Sequence, residues 1–361
     1  MKVLHLSAGN LYGGVERMLV TLAKHRASMP DLVPEFGLCF RGRLWDELTA
    51  TGVPVHDLGA VRASRPWTVW KARRNAAALL PNFDVAIAHT NWPHAVFAPA
   101  AKRVRVPVVN WVHDGLRGWS WVDLWAARTR PSAVIANSRY TASTVANVFP
   151  GVRTEVIYCP TDLTPADPIA REWIRQSFGT SPETVVILQA SRLERWKGAA
   201  VLVDALNRLK DEPNWECWLA GGPQKAGEHE FFAELKAAAG PVSDRVRFLG
   251  QRSDVASVMA AADIYCQPNT GPEPFGIAYV EALAAGLPVV STAIGGALEI
   301  VDATCGVLVP PNDPAAVAEA LRLLIRDPER RRTLGANGPK RAEALCEPRN
   351  QLELLQRELA R

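Results

Sequence analysis

The chain has 361 residues, 48% hydrophobic and 22% charged, with a net charge of +4; it is too apolar for disorder and too long for one core, so two domains are the default. No apolar run reaches the ~18 residues of a membrane helix, and the opening MKVLHLSAGN reads as a strand and a turn, not as a signal peptide. Six scattered cysteines without a C-x-x-C argue against a disulfide framework or a zinc site and fit a reducing cytosol.

The first predicted strand is 2–7. Gly9-Asn-Leu-Tyr-Gly13-Gly14 follows it and opens a helix over 14–25. Glycines at such a turn let backbone N–H groups approach an anion. The spacing is not G-x-G-x-x-G, so a dinucleotide site is disfavoured, and a plain tight turn explains the motif equally well. Strands follow at 34–40, 53–56 and 84–88, with a helix over 67–80. That helix carries Trp67 and Trp70 within the basic stretch 62–74. His89 and His94 flank the next strand end and read as structural. The strand 108–112 runs into Trp111-Val-His113-Asp114-Gly115. His113 therefore lies at a carboxyl strand end, where parallel sheets bind ligands. Trp119, Trp121 and Trp125 come next, among charged residues, and suit contact with an acceptor or a membrane interface; Trp111 reads as core. Strands at 133–136 and 154–158 with a helix over 139–148 complete the first half.

The stretch 159–168, CPTDLTPADP, has no period and three prolines, and reads as an interdomain linker. Alternation resumes with strands at 184–190, 215–220, 246–249, 264–267, 289–292 and 307–309. Strands alternating with helices mean parallel sheets in both halves. The cleft between two such domains is the default site. Arg192-Leu-Glu-Arg-Trp-Lys197-Gly198 follows the strand 184–190 and offers two cations to a diphosphate. Arg252 stands just after the strand 246–249.

The strongest pattern is 267–286. Glu273 lies in the loop Gly-Pro-Glu-Pro-Phe275-Gly276-Ile277, and Glu281 lies in the helix that follows. Eight helical residues would separate them by ~12 Å. That is wider than the ~5 Å or ~6.5–9.5 Å of a hydrolase carboxylate pair, and it suits one elongated ligand. N–H groups of Phe275, Gly276 and Ile277 stand at a helix start, ready for ligand oxygens. The tail is mostly helix, over 315–326, 329–345 and 349–359, with an interruption expected at Gly335, Gly338 and Pro339.

Charge divides unevenly. Residues 1–163 hold 19 lysines and arginines against 11 acids, and residues 164–361 hold 22 against 26. A basic first half suits an anionic partner, but on charge alone a solvated surface with no ligand explains it better. Basic residues with aromatics also bind single-stranded nucleic acid, but no such fold is signalled, and nucleic acid is not expected.

Together these residues resemble the retaining glycosyltransferases of family 4 (glycosyl transferases group 1). The resemblance rests on Glu273 with Glu281, Arg192 with Lys197-Gly198, Leu219-Ala-Gly-Gly222, Val246-Arg-Phe-Leu-Gly250, Ala284-Ala-Gly-Leu-Pro-Val289 and Gly295-Gly296. In the first half it rests on Gly13-Gly14, Val112-His113-Asp114 and Ala136-Asn-Ser138. The chain departs from the family at Cys159-Pro160, Ser191 and Asn269. The resemblance implies an α/β GT-B fold of two facing Rossmann-like, doubly wound parallel-sheet domains. These would be residues 1–163, joined by a returning helix over 347–361, and residues 164–346.

It also implies a metal-independent hexosyltransferase that takes a UDP- or GDP-hexose and keeps the anomeric configuration. The acceptor would be a saccharide, a lipid-linked or a small-molecule hydroxyl. By the resemblance, Arg192 and Lys197 would hold the diphosphate, Glu273 the sugar hydroxyls and Glu281 the ribose. Phe275, Gly276 and Ile277 would offer backbone N–H groups, Arg252 would meet the base, and His113 would lie beside the sugar. Gly13 and Gly14 would let the first domain approach the diphosphate. Cofactors other than the nucleotide sugar are not expected, since no Asp-x-Asp motif appears. The expected location is the cytoplasm or the inner membrane face. An epimerase or phosphorylase on the same fold is the alternative, and neither signature is evident.

Overall fold

The computed structural model describes every residue except Leu11 and Lys225. The chain forms two units: Met1–Asp162 with Cys346–Arg361, and Leu163–Leu345.

The first unit is built on a seven-stranded sheet. Its strands are β1 (Lys2–Ser7), β2 (Val33–Leu38), β3 (Val55–Asp57), β4 (Val85–His89), β5 (Val108–Val112), β6 (Ala133–Ala136) and β7 (Thr154–Val156). All pairs are parallel, in the order β3-β2-β1-β4-β5-β6-β7. The order reverses between β1 and β4. β4, β5 and β6 are buried at every position, which is why they read as continuous apolar runs, not as alternating ones. The last helix, Pro348–Leu359, belongs to this unit. Leu352 and Leu355 bury its apolar stripe, Arg153 reaches the buried Glu358 at 2.6 Å, and Gln356 donates to Asp31 at 2.7 Å.

The second unit has a six-stranded sheet: β8 (Val185–Ala190), β9 (Trp215–Ala220), β10 (Val246–Gly250), β11 (Ile264–Gln267), β12 (Val289–Thr292) and β13 (Gly306–Val309). The order is β10-β9-β8-β11-β12-β13, again all parallel. The reversal falls between β8 and β11. One face carries a core that includes Leu202, Trp215, Cys217, Leu321 and Leu324. In such sheets ligands bind outside the carboxyl ends of the strands flanking the reversal.

The helix Pro328–Cys346 runs through Gly335, Gly338 and Pro339 without the expected interruption. The two glycines serve packing instead. A Cβ at Gly335 would come 2.2 Å from the Gly286 carbonyl, and one at Gly338 would come 2.5 Å from that of Leu283. Close approach of this helix to the segment 283–286 outweighs the weak helical preference of glycine and the hydrogen bond lost at Pro339.

Candidate functional site

In the second unit the loops after β8 and β11 meet at the reversal of strand order. β8 passes through Ser191 and Arg192 into a single turn, Arg195–Lys197, which ends at Gly198 with φ +76°. A Cβ there would lie 1.8 Å from the Pro268 carbonyl, so only glycine lets the β8 loop pack on the β11 loop. Gln189 Nε2 donates to the Lys197 carbonyl at 2.8 Å, and Thr270 N–H donates to that of Trp196 at 2.8 Å. These bonds fix where the Lys197 side chain starts.

Lys197 Nζ then lies 2.5 Å from Glu273 Oε2, with both side chains nearly buried. It also stands 4.2 Å from the Trp196 ring centroid. Asn269 Nδ2 donates to the same Oε2 at 3.0 Å and Gln267 Nε2 at 3.3 Å. Three donors thus converge on one carboxylate oxygen, and among the described residues Oε1 accepts none. Tyr279 OH takes a bond from Asn269 at 2.9 Å and one from Ser291 Oγ at 3.1 Å. Burial pushes the Tyr279 hydroxyl well above its usual pKa, so it stays neutral. Gln267, Asn269, Tyr279 and Ser291 are floor residues that sequence reasoning missed. Gln267 and Ser291 stood out only as polar residues inside otherwise apolar strands, and Asn269 only as a departure from the family pattern.

Glu273 sits in a loop and Glu281 in the helix Ile277–Ala284, which begins only after Gly276 at φ +112°. The pair is therefore not carried on one helix. Glu281 is half-buried. Phe275 has its side chain in the core, so only its backbone is available for a ligand. Gly295 and Gly296 support this loop: a Cβ at Gly295 would come 2.4 Å from the Glu273 carbonyl, and one at Gly296 2.3 Å from that of Phe275. Arg192 is half-exposed and stands 3.2 Å from Glu194. Arg252 is forked onto Asp254 at 2.8 and 2.5 Å.

In the first unit Gly13 is the extended cap of the helix Gly14–Lys24, and its N–H donates to Glu16 Oε2 at 2.9 Å. No positive φ requires glycine at 13, and a Cβ would meet only Glu16 at 3.6 Å. Space beside the backbone is what this residue provides. Leu11, within the same turn, lies outside the described residues.

His113 follows β5. Its Nε2 is 3.2 Å from His89 Nδ1, and His89 Nε2 is 2.9 Å from His5 Nδ1. Burial lowers the pKa of His5 and of His113 to about 3 and that of His89 well below its ordinary value, so all three are neutral. His94 Nε2–H donates to the Thr129 carbonyl, 2.7 Å away, and burial likewise holds the ring's pKa low, at about 4. Trp111 is fully buried, whereas Trp119 and Trp121 are exposed. Trp121 stacks on Trp125 with ring centroids 6.1 Å apart. Among the described residues no three His, Cys, Asp or Glu side chains stand together as a metal site.

The chain is similar to known proteins. Residues 170–341 match the family described as Glycosyl transferases group 1, and residues 12–164 match Glycosyltransferase Family 4. The chain is 30% identical over 272 residues to the GDP-mannose-dependent monoacylated alpha-(1-6)-phosphatidylinositol monomannoside mannosyltransferase of Corynebacterium glutamicum, covering 70% of each chain. It is 38% identical over 190 residues to the D-inositol 3-phosphate glycosyltransferase of Corynebacterium kroppenstedtii, covering 50% of this chain and spanning 42% of that relative. The crystal structure of Anabaena HepE in complex with UDP and glucose superposes with a TM-score of 0.87 at 28% identity, covering 100% of this chain and 99% of that one. The two parallel-sheet units are those of the GT-B fold.

Proposed function

We propose that this chain, which belongs to the group 1 glycosyltransferases of family 4, is a nucleotide-sugar-dependent hexosyltransferase that retains the anomeric configuration. The observation that carries the reading is the convergence on Glu273. Lys197, Asn269 and Gln267 occupy Oε2 and leave Oε1 for sugar hydroxyls. Lys197 and Arg192 stand at the carboxyl end of β8, where a diphosphate belongs.

On this reading Arg192 and Lys197 stabilise the leaving nucleoside diphosphate electrostatically, in a site already organised before reaction. The acceptor hydroxyl attacks from the face that the diphosphate leaves, and a phosphate oxygen takes its proton. His113 stays neutral and is a contact to the sugar, not a base. Glu281 holds the ribose, Arg252 the base edge, and backbone N–H groups of Phe275, Gly276 and Ile277 meet donor oxygens. Gly13 and Gly14 leave open backbone for a donor oxygen on the first unit. The donors are UDP- or GDP-hexoses: a relative is GDP-mannose-dependent and a structural neighbour was crystallised with UDP and glucose.

The acceptor we infer is a lipid-borne hydroxyl at an anionic membrane surface. Trp67 and Trp70 are exposed on the helix Pro66–Leu79. Arg73 of that helix donates to the Ala95 and Val96 carbonyls and lies 5.9 Å from the Trp125 ring, next to Trp121. Two tryptophan-bearing helices thus share one side of the first unit.

A thermal-shift panel of UDP, GDP, ADP and their hexoses tests the reading, since bound ligand raises apparent stability. A UDP- or GDP-hexose should stabilise the chain and then be consumed with a hydroxyl acceptor. Lys197→Ala should lower kcat/KM about 10²–10³-fold while Asn269 and Gln267 keep Glu273 partnered. Unchanged turnover in that variant would remove Lys197 from the diphosphate site.

A further inference from the structure

His5, His89 and His113 form a diagonal across the first sheet. In the parallel register His5 pairs with Ile87, and His89 pairs with Trp111. His89 is therefore two residues beyond the partner of His5, and His113 is two residues beyond the partner of His89. A step of two keeps the same face. The three imidazoles consequently lie on one side of the sheet and climb from the β1/β4 reversal to the carboxyl end of β5. Their rings stack at centroid distances of 5.2 and 5.5 Å, and their nitrogens meet at 2.9 and 3.2 Å.

The two contacts constrain the protons. Each bond needs one donor, and neutral His89 has one proton to give. If His89 donates from Nδ1, it must accept at Nε2, and the whole ladder carries its protons on Nδ1. If it donates from Nε2, the whole ladder carries them on Nε2. No mixed arrangement exists without a charged ring, and burial disfavours charge at all three.

The far end selects between the two. His113 Nδ1 is buried and has no partner among the described residues. An orphaned buried N–H is costlier and rarer than an orphaned acceptor. The Nε2–H form is also the one that a neutral histidine prefers in water.

We propose that His5 and His89 are positioning residues that hold His113 in its Nε2–H tautomer, so that its Nδ1 presents a fixed lone pair to a ligand hydroxyl. His113 Nε2 donates to His89 Nδ1, and His89 Nε2 donates to His5 Nδ1. This deepens the hexosyltransferase reading and rests on it for the identity of the hydroxyl as a sugar's.

The test is nitrogen NMR of the full chain with labelled histidine, of which there are seven, at pH 7. His113 is assigned by the signal lost in His113→Asn. Its Nδ1 should be pyridine-like and its Nε2 pyrrole-like; the opposite pattern, or a charged ring, overturns the proposal. His89→Phe keeps the ring and removes both bonds. His113 should then show averaged tautomers, and affinity for UDP-glucose or GDP-mannose should fall about fivefold, the scale of one hydrogen bond, with UDP or GDP affinity unchanged. An unaltered His113 spectrum in that variant refutes the positioning role. Should it fail to fold, His5→Phe cuts the outer bond alone and should give a smaller shift in the same direction; no shift there is equally fatal. A wild-type chain that binds no nucleotide sugar would defeat the hexosyltransferase reading and leave the tautomer measurement standing.

Discussion

His5, His89, His94 and His113 are neutral because burial penalises their charged forms. Unfolded, each would titrate near 6.5. The unfolded chain therefore binds more protons below that pH, and stability must fall as pH drops. The loss begins near pH 6.5 and continues toward the folded values of about 3 for His5 and His113 and about 4 for His94. By pH 5 each of these three costs on the order of 2 kcal/mol. Carboxylates held low by ion pairs, such as Asp162 beside His25 and Lys24, respond only below their unfolded values near 4, so the window from pH 7 to 5 isolates the histidines. Hydrogen exchange in β1, β4 and β5 should report weaker protection at pH 5 than at pH 7, and His89→Phe should reduce the difference by the share of that one ring. A pH-independent profile would show that these rings are protonated without penalty.

The same residue scale shows what could be read from sequence. Lys197 and Glu273 each stood out at a strand end or in a Pro/Gly loop, but 76 residues separate them and no pattern says that they touch. The pairing follows from the sheet order, which puts β8 beside β11. The histidine diagonal was invisible for a similar reason. It needs the register of three strands, and a lone His in an apolar run looks like any buried histidine.

At the scale of elements, strands were legible because a parallel sheet buried on both faces demands unbroken apolar runs. The helix Pro328–Cys346 was legible as a helix but its continuity was not, because its glycines answer to a neighbouring segment and not to the local chain. Gly296 gives a test of such close approach. Its backbone is right-handed helical, at φ −64°, so alanine there meets no conformational strain. The steric conflict alone remains, with Phe275 O at 2.3 Å and Phe275 Cα at 2.7 Å. Gly296 N–H also donates to the Glu273 carbonyl at 2.7 Å. Gly296→Ala should cost about 1–3 kcal/mol and shift the loop that carries Glu273 and the N–H groups of Phe275, Gly276 and Ile277. Urea unfolding and nucleotide-sugar calorimetry should both register it. Full affinity at reduced stability would mean that the loop holds its shape without the glycine.

At the scale of the molecule, the placement of charge matters more than its sum. Between Asp57 and Asp84 there is no acidic residue, while Arg62, Arg65, Lys71, Arg73 and Arg74 fill that stretch. Between Asp114 and Glu155 the sole acid is Asp123. It is buried, accepting from Asn91 Nδ2 and the N–H groups of Arg117 and Gly118, and does not offset the surface charge. Exposed tryptophans beside such cations are what a membrane interface selects, and no described helix is long and apolar enough to cross a bilayer. Each cation near an anionic surface contributes about 1 kcal/mol, and salt at 0.1 M screens beyond about 10 Å. Vesicles containing an anionic lipid should therefore sediment the chain at low salt, neutral vesicles should not, and high salt should release it. Trp70→Ala with Trp121→Ala should weaken binding to anionic vesicles while leaving nucleotide affinity intact, because those side chains stand on the first unit and the cations assigned to the diphosphate on the second. Equal sedimentation with neutral and anionic vesicles, or none with either, would mean that this face serves a diffusible acceptor instead.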